Sequence, residues 1–328
     1  RCHFHQAVKP QTPMDTTDTA PEYAETIAAV KEHIDMYPAL RIHELTSSYP
    51  MGDEVVLIYE ATGKVVRPGG LPIEQNVAVF NVETMYNAYR AMNSHSGVTE
   101  KLVTIVGEVE EPKTVWLPIG TSVEEAVAQA GRITVKDHVY FVGGPMMGRI
   151  MNGDSPVTKT TNAIIVLPDD HKLVLKKRSD SSIQLNRAAS ICCQCHECTD
   201  LCPRHALGHP IEPHLFMRSA ANRDFQDLNP FLNTFFCSGC GLCELYSCPQ
   251  GLQPRTLIAN YKNGLRGNGI KPPAEPKIGA VSASRDLRKA PEPRLAARLG
   301  VSKYETDALL DDSVREIRRV KIPFSQHI

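Results

Sequence analysis

Nine of the ten cysteines in this 328-residue chain fall between residues 192 and 248, and eight of them form two runs of similar spacing. The first run is C-x2-C-x2-C-x3-C-P, made of Cys192, Cys195, Cys198 and Cys202. The second run is C-x2-C-x2-C-x4-C-P, made of Cys237, Cys240, Cys243 and Cys248. A thiolate is a soft ligand, so repeated thiols at short spacing predict a metal centre with sulfur ligands.

The spacing identifies the type of centre. C-x2-C-x2-C-x3-C-P is the ferredoxin run for cubane iron–sulfur clusters, in which the fourth cysteine ligates the other cluster. Two-residue gaps let the backbone wrap one cluster, whereas a thiol three or four residues further on has already left that loop. We therefore predict two [4Fe–4S] clusters with exchanged fourth ligands. Their ligand sets are Cys192, Cys195, Cys198 and Cys248 for cluster one, and Cys237, Cys240, Cys243 and Cys202 for cluster two.

Structural zinc is the alternative, but it prefers four ligands in pairs of C-x2-C, and two triplets with a distal Cys-Pro fit that pattern poorly. Cys193 breaks the two-residue spacing and is predicted to be a small buried side chain. The histidines around the runs are expected to be structural rather than cluster-tuning or proton-relaying. They are His196, His205, His209 and His214.

Composition narrows the class of protein. A hydrophobic content of 42% with 22% charged residues is typical of folded globular chains. The net charge of −1 argues against non-specific nucleic-acid binding, which needs a basic excess. No apolar run approaches about 18 residues, so no transmembrane span is predicted here. One dense cysteine island in a long chain indicates metal binding in a reducing compartment.

Hydrophobic periodicity predicts the elements around the cysteines. Helices are expected after Pro21, over residues 81–92, and over 123–130 with Thr121 or Ser122 as its cap. Strands are expected over residues 55–59, 77–79, 102–106, 114–118, 138–142, 163–167 and 172–175. The strands from residue 102 onward, with their one helix, have a β-grasp-like order. Residues 176–190 are expected to be a polar connection, and the glycines and prolines after Tyr261 a linker.

The two cysteine segments carry a family resemblance. CCQCHECTDLCPRHALGHPIEPH (residues 192–214) and FCSGCGLCELYSCPQGLQPRTLI (236–258) closely resemble the cobalamin (corrin) reductases of propanediol-utilising bacterial microcompartments. Those enzymes are similar to the C subunit of the Rnf electron-transport complex. Both share a flavin-binding module with the FMN-carrying subunit of respiratory complex I.

The resemblance extends upstream. YPMGDEVVLIYEATGKVVRPGGLP (residues 49–72) and FNVETMYNAYRA (80–91) resemble the second half of the flavin module. VTIVGEVEEPKTVWLPIGTSVEEAVAQAG (103–131) and GGPMMG (143–148) are similar to an SLBB β-grasp domain. By resemblance, six residues occupy positions that line the FMN: Tyr49, Gly52, Asp53, Glu54, Asn81 and Thr84.

The resemblance also implies a domain plan. The fold class is α+β and multidomain, with a partial complex I-like flavin module over residues 1–100, an SLBB domain over 101–176 and a ferredoxin-like dicluster domain over 183–262. Residues 263–328 form a basic tail that leads to the opening of a barrel-sandwich module, RRVKIPFSQHI (318–328). Residues 1–48 lack the Gly-rich loop that holds the flavin phosphate in these families, so truncation at both ends is expected and FMN is expected in the intact protein.

The function implied by the resemblance is electron transfer from NADH through FMN and the two clusters to the cobalt of a corrinoid, reduced to cob(I)alamin. The alternatives are a non-catalytic, ferredoxin-like relay subunit of an Rnf-like complex, and clusters that only stabilise the fold. Expected partners are a corrinoid-dependent enzyme or adenosyltransferase and microcompartment components, in the bacterial cytoplasm. No residue is predicted to be catalytic, and the corrinoid rests on resemblance alone.

Overall fold

The computed structural model describes residues 24–34, 41–306 and 310–311. Its α-helices are α1 (Ala24–Ile34), α2 (Glu54–Thr62), α3 (Val82–Ser94), α4 (Val123–Ala128), α5 (Lys172–Arg178), α6 (Ser181–Ile191), α7 (Glu197–Asp200), α8 (Pro203–Ala206), α9 (Pro213–Asn222), α10 (Asn229–Leu232), α11 (Pro254–Gly267) and α12 (Glu292–Leu299). Its strands are β1 (Ser48–Tyr49), β2 (Glu100–Gly107), β3 (Lys113–Pro118), β4 (His138–Val142), β5 (Arg149–Met151), β6 (Ala163–Pro168), β7 (Ala290–Pro291) and β8 (Leu310–Asp311).

The chain divides into two compact units. Among the described residues, the β-grasp unit contains Tyr86–Asp180 and those from Ala296 onward. The cysteine unit contains the described residues up to Met85 together with Ser181–Leu295. The expected flavin segment and the two cysteine runs therefore belong mostly to the same unit.

The β-grasp unit is built on one mixed sheet of order β5-β4-β6-β2-β3-β8. The hairpin β2–β3 is antiparallel, and β6 lies parallel to β2 in the centre. Helix α4 begins with a capping box in which Ser122 and Glu125 exchange side-chain and backbone hydrogen bonds. Alternate residues of β2, such as Val103 and Ile105, are fully buried in the core. The predicted β-grasp order is confirmed.

Two predictions for the chain that follows this sheet are wrong. Residues 172–175 lie in α5 instead of a strand, because the His171 imidazole caps the helix by accepting from the Leu173 N–H at 3.2 Å. Its last turn carries Lys176, Lys177 and Arg178, which suit the negative end of the helix dipole. The expected polar connection over residues 176–190 is largely α6.

In the cysteine unit, residues 55–59 form a helix and not the predicted strand. The Asp53 side chain accepts from the backbone N–H groups of Val55 and Val56 and so caps α2. Gly63 ends α2 in the left-handed conformation, at φ 70°. No strand forms over residues 77–79; Val77 and Val79 pack against the buried face of α2.

A helical core stands beside the cysteines. Helices α6, α9, α10 and α11 bury an apolar cluster that includes Phe216, Phe231 and Leu257, and Cys192, Cys237 and Cys248 pack against it. The linker predicted after Tyr261 begins later than expected, because α11 continues through Gly264 to Gly267. The backbone near the cysteines is thus anchored in a packed core.

Part of the predicted linker folds back onto the unit. Gly279 donates its N–H to the Gly208 carbonyl at 2.7 Å, and a Cβ at Gly208 would lie 2.2 Å from the Gly279 oxygen. Only glycine permits that approach. Further on, β7 pairs antiparallel with β1, so residues 290–291 are ordered against Ser48 and Tyr49.

The expected barrel-sandwich opening at residues 318–328, the helix start at Pro21 and the lone Cys2 lie outside the described residues. Within the described residues, no helix has the length and apolar character needed to cross a membrane.

Candidate metal centre

The first cysteine loop runs from the end of α6 to α7 and takes a tightly curved path. Gln194 and His196 adopt left-handed conformations at φ 53° and 65°, which is uncommon for residues with a side chain. The Gln194 side-chain amide donates to the Cys192 sulfur at 3.2 Å. Pro203 then begins α8, as expected for a proline that ends the cysteine run.

The second cysteine loop has the same curvature with different residues. Gly239 and Gly241 are left-handed at φ 73° and 87°, at the same offsets from Cys237 as Gln194 and His196 have from Cys192. The Gly239 N–H donates to the Cys237 sulfur at 3.3 Å. The loop leads into a π-helical turn over Cys243–Ser247. The repeat in the sequence is therefore a repeat in backbone conformation.

The first group of thiols forms around Cys198. Burial, and then the neighbouring thiols of Cys248, Cys192 and Cys195, raise the pKa of the Cys198 thiol to about 12. Burial also raises the pKa of Cys195, and Cys248 contributes there too. Cys248 comes from the second run, so the structure brings it to the first three cysteines of the first run. We refer to these four residues as group one.

The second group forms around Cys202 and Cys243. Burial, followed by Cys240, raises the pKa of Cys202, and Cys237 adds to that rise. Burial also raises the pKa of Cys243 well above its usual value, with Cys237, Cys240 and Cys202 among the contributors. These four residues are group two. Cys202 of the first run thus lies near the thiols of the second run, and its role as a ligand there stays a prediction.

The chemistry of the eight grouped cysteine thiols fits iron–sulfur clusters. The nine described cysteines form no disulfide with one another, and thiols with raised pKa values need a nearby cation before they deprotonate and bind. In the described part of the chain, no three His, Cys, Asp or Glu side chains converge on a point suited to one metal ion.

Side chains also hold the carbonyl groups of the second loop. The Lys262 ammonium donates to the Cys237 carbonyl at 2.9 Å, and the Arg255 guanidinium donates to the Gly239 carbonyl at 3.3 Å. Burial raises the pKa of Cys237, and the charges of Lys262, Arg255 and Arg204 oppose that rise. Group two therefore lies in a cationic environment, which favours thiolates and added electrons.

Of the residues expected at the flavin, Tyr49, Gly52, Asp53 and Glu54 lie together in the turn that leads into α2. The Tyr49 hydroxyl donates to the Cys240 carbonyl at 2.6 Å. The Asp53 carboxylate accepts from Arg204 at 2.9 Å. Gly52 and Glu54 are exposed.

The other two expected flavin residues lie at the start of α3. The Asn81 side-chain oxygen accepts from the Glu83 N–H at 3.0 Å, and Thr84 is exposed. Exposed Gly52, Glu54, Asn81 and Thr84 leave polar groups for a flavin, so the chain fits part of such a site. The bonding atoms of Tyr49 and Asp53 are already engaged toward the cysteine segments.

Sequence reasoning missed Arg204. Its guanidinium is 17% exposed, and it pairs with an Asp53 carboxylate that is 12% exposed. Its position two residues after the predicted ligand Cys202 could have identified it, because a cation there lies close to a cluster. Lys262 and Arg255 carried no such signal, because α11 brings them to the second loop from further along the chain.

The four nearby histidines take part in contacts within the protein. Through a ring nitrogen, His205 contacts the Ile211 carbonyl, His209 the Val66 carbonyl and His214 the Thr199 hydroxyl. The His196 ring stacks on the His214 ring. This agrees with the structural roles predicted for them. Cys193 is exposed, so its predicted burial is wrong: as the neighbour of a loop cysteine it points outward.

Three family models match separate parts of the chain. The 4Fe-4S dicluster domain matches residues 191–253, the Nuo51 FMN-binding domain matches 19–90, and the SLBB domain matches 102–150. These matches agree with the three-part fold class predicted from the sequence.

Curated relatives match nearly the whole chain. Cobalamin reductase PduS of Salmonella typhimurium is 38% identical over 290 residues, covering 88% of this chain and 64% of the relative. The chain is similar to the cobalamin reductases. Cobalamin reductase PduS of Citrobacter freundii is 36% identical, covering 92% of this chain and 66% of the relative. The chain thus spans slightly less than two thirds of the length of these curated relatives.

More distant likenesses extend over smaller shares. The C subunit of an ion-translocating oxidoreductase complex of Erwinia tasmaniensis is 32% identical, covering 56% of this chain and 22% of that protein. Among solved structures, an NAD+-reducing [NiFe]-hydrogenase in the H2-reduced state is 18% identical, with a TM-score of 0.37, covering 77% of this chain and 47% of that one. At that TM-score the structural likeness supports no conclusion.

Proposed function

We propose that the intact protein is a flavo-iron–sulfur oxidoreductase that passes electrons from NADH, through FMN and two [4Fe–4S] clusters, to the cobalt of a corrinoid. The observation that carries the proposal is that Cys248 lies near the thiols of the first run and Cys202 near those of the second, because exchanged fourth ligands serve two neighbouring one-electron carriers. The similarity to cobalamin reductases supports the corrinoid as acceptor. The balanced reaction converts one NADH and two cob(II)alamin into NAD+, H+ and two cob(I)alamin.

Group one is proposed to hold one cluster through Cys192, Cys195, Cys198 and Cys248. Group two is proposed to hold the other through Cys237, Cys240, Cys243 and Cys202. The mutual electrostatic influence of the thiols within each group supports this assignment. Amide groups that donate to sulfur, such as the Gly239 N–H, stabilise the thiolates and help to set the potential.

FMN is proposed to bind against Gly52, Glu54, Asn81 and Thr84, with the turn from Tyr49 to Asp53 behind them. A flavin accepts a hydride and releases electrons singly, which matches NADH to one-electron clusters. The chain itself fixes the turn through the Asp53 cap on α2, so the exposed residues present a constant surface.

The domain plan predicted from the sequence stays a proposal, with boundaries at 1–100, 101–176, 183–262 and 263–328. The partners we propose are a corrinoid-dependent enzyme or adenosyltransferase and components of a microcompartment in the bacterial cytoplasm. The support is the similarity to the PduS relatives.

The test is anaerobic purification of the full-length protein, followed by iron, flavin and NADH-activity measurements. About eight irons per chain, one FMN and NADH-dependent formation of cob(I)alamin are expected. A colourless product that contains zinc would contradict the cluster assignment. Reducible clusters with no NADH-dependent corrinoid reduction would contradict the function alone.

A relay role is the second candidate, favoured by the similarity to the C subunit of an ion-translocating oxidoreductase complex. A relay would exchange electrons with a partner protein without reducing a corrinoid by itself. The two functions separate when NADH is offered with cob(II)alamin and, in a parallel sample, with an artificial one-electron acceptor. A relay reduces only the artificial acceptor.

A further inference from the structure

The proposed flavin segment contacts the cysteine segments at residues of group two or next to them in the chain. The Tyr49 hydroxyl donates to the Cys240 carbonyl at 2.6 Å, and Cys240 belongs to group two. Tyr49 is itself held in β1, which pairs with β7. A short hydrogen bond therefore joins the backbone of a group-two cysteine to the turn that carries the flavin residues.

An ion pair makes a second connection to the same group. Arg204 follows Cys202 by two residues, and its guanidinium meets the Asp53 carboxylate at 2.9 Å. Both side chains are mostly buried, which strengthens a charge-assisted bond. Asp53 is also fixed by its cap on α2. The pair thus fixes the position of Cys202 relative to the start of α2.

Two further contacts also join the flavin segment to the chain stretches that supply group two. The His209 imidazole donates from Nε2 to the Val66 carbonyl at 2.9 Å, in a buried position. A Cβ at Gly69 would lie 3.5 Å from the ring of Phe236, the residue before Cys237. The flavin segment therefore contacts both chain stretches that supply group two.

Group one faces a different environment. Cys195 is exposed, as is its neighbour Cys193. The ion pairs beside it join Arg288 to Glu197 and Asp200, at 3.2 and 3.4 Å, and these side chains are 37–41% exposed. Group one is thus the more exposed of the two groups.

We propose that group two holds the cluster that takes electrons from the flavin, and that group one holds the cluster that passes them to the acceptor. Tyr49, Asp53 and Arg204 are positioning residues for the first transfer. The inference rests on the proposed function, since it needs a flavin at the Tyr49–Asp53 turn. NADH would transfer a hydride to the flavin and become NAD+, and re-oxidation of the flavin would release one net proton and two single electrons, each of which would pass through group two and then group one to one acceptor.

The test uses full-length, FMN- and cluster-loaded protein under anaerobic conditions, with electron paramagnetic resonance (EPR) as the readout. Cys243→Ser and Cys195→Ser first assign the EPR signals of group two and group one, because these two ligands keep their group whether or not the fourth cysteines are exchanged. Arg204→Met, Asp53→Asn and Arg288→Met are then titrated with dithionite and mediators. This step needs neither NADH nor activity.

Opposite shifts are expected for the two charges of the buried pair. Loss of the Arg204 cation disfavours reduction of the group-two cluster about tenfold at a fixed solution potential, and loss of the Asp53 anion favours it. Asn still caps α2, so Asp53→Asn keeps the fold if Arg204→Met does not. Arg288→Met, the matched control, is expected to move only the group-one signal, and by less because its pair is exposed.

The order is tested by rapid freezing after reduction of the flavin, by NADH in one arm and by light with a sacrificial donor in the other. The group-two signal is expected first, and Tyr49→Phe is expected to delay it. If the group-one signal appears first, or if Arg204→Met moves only the group-one signal, the inference is overturned. If light produces the expected order but NADH reduces neither cluster, the inference stands and the proposed NADH activity fails.

Discussion

The two cysteine loops share a spacing and a backbone path but differ in their surroundings. In the first loop, Gln194 and His196 take the left-handed positions that Gly239 and Gly241 take in the second. The ion pairs beside group one are more than a third exposed, whereas the Asp53–Arg204 pair beside Cys202 of group two is 12% and 17% exposed. Group one therefore lies nearer to solvent than group two.

This difference shows how a repeated motif acquires two roles. Spacing alone sets which thiols can bind one cluster, and it is nearly the same in both runs. The surrounding charges and solvent set the potential and the accessible neighbours of each cluster. Lys262, Arg255 and Arg204 lie around group two, and none of them belongs to the second cysteine run.

The largest expected effect comes from breaking the exchange of ligands between the loops. Cys202→Ser is expected to remove the group-two cluster although Cys202 stands in the first run. Iron should fall from about eight to about four per chain, with the group-one EPR signal retained. Iron analysis and EPR of the anaerobic protein measure this.

Cys193→Ser is the matched control, since it alters an exposed thiol of the same loop that lies outside both groups. It is expected to keep all of the iron. Loss of the group-one signal in Cys202→Ser, with group two intact, would show that the ligands do not cross.

The next effect compares the two ion pairs. Arg204→Met leaves the mostly buried Asp53 carboxylate without its guanidinium, and we expect a loss of about 2–3 kcal/mol in the free energy of unfolding. Arg288→Met breaks a pair of exposed groups and should cost about 0–1 kcal/mol. Urea unfolding of the cluster-loaded proteins, followed by cluster absorbance, measures both. Equal losses would mean that burial does not distinguish the surroundings of the two groups.

Arg204 also illustrates what the sequence could and could not predict. Strands β2, β3, β4 and β6 follow from local alternation and were predicted, whereas the ligand sets of the clusters stay a prediction from spacing. The run from Val55 to Tyr59 has strand-like composition, but the Asp53 cap and Gly63 make it a helix. The Asp53–Arg204 pair joins residues 151 positions apart, and no local pattern contains such a contact.

A smaller effect concerns pH and the buried contact between the two segments. Burial, and then the charge of Arg204, lower the pKa of His209 to about 4, while the Val66 carbonyl and Asp53 act against this. The unfolded chain, with a histidine pKa of 6.5, therefore binds more protons than the native state below pH 6.5. Stability should be complete above that pH and fall by about 1–2 kcal/mol between pH 7 and pH 5.

His209→Gln tests this, because the glutamine amide can still donate to the Val66 carbonyl but does not titrate. The difference in urea midpoint between variant and parent should be constant above pH 7 and should change below it in favour of the variant. A difference that stays constant down to pH 5 would mean that His209 does not carry the effect.

The smallest effect tests the left-handed positions that the two loops share. A Cβ at Gly239 would have nothing within 4 Å, so Gly239→Ala costs only backbone strain, about 1 kcal/mol, and Gly239→Asn should cost less because Asn tolerates this conformation. Gln194→Gly removes the same strain from the first loop but also removes the amide bond to the Cys192 sulfur, so its net change should be close to zero. Urea midpoints of the three variants decide this. A cost for Gly239→Asn as large as that for Gly239→Ala would show that side-chain contacts, and not φ, set the preference for glycine in the second loop.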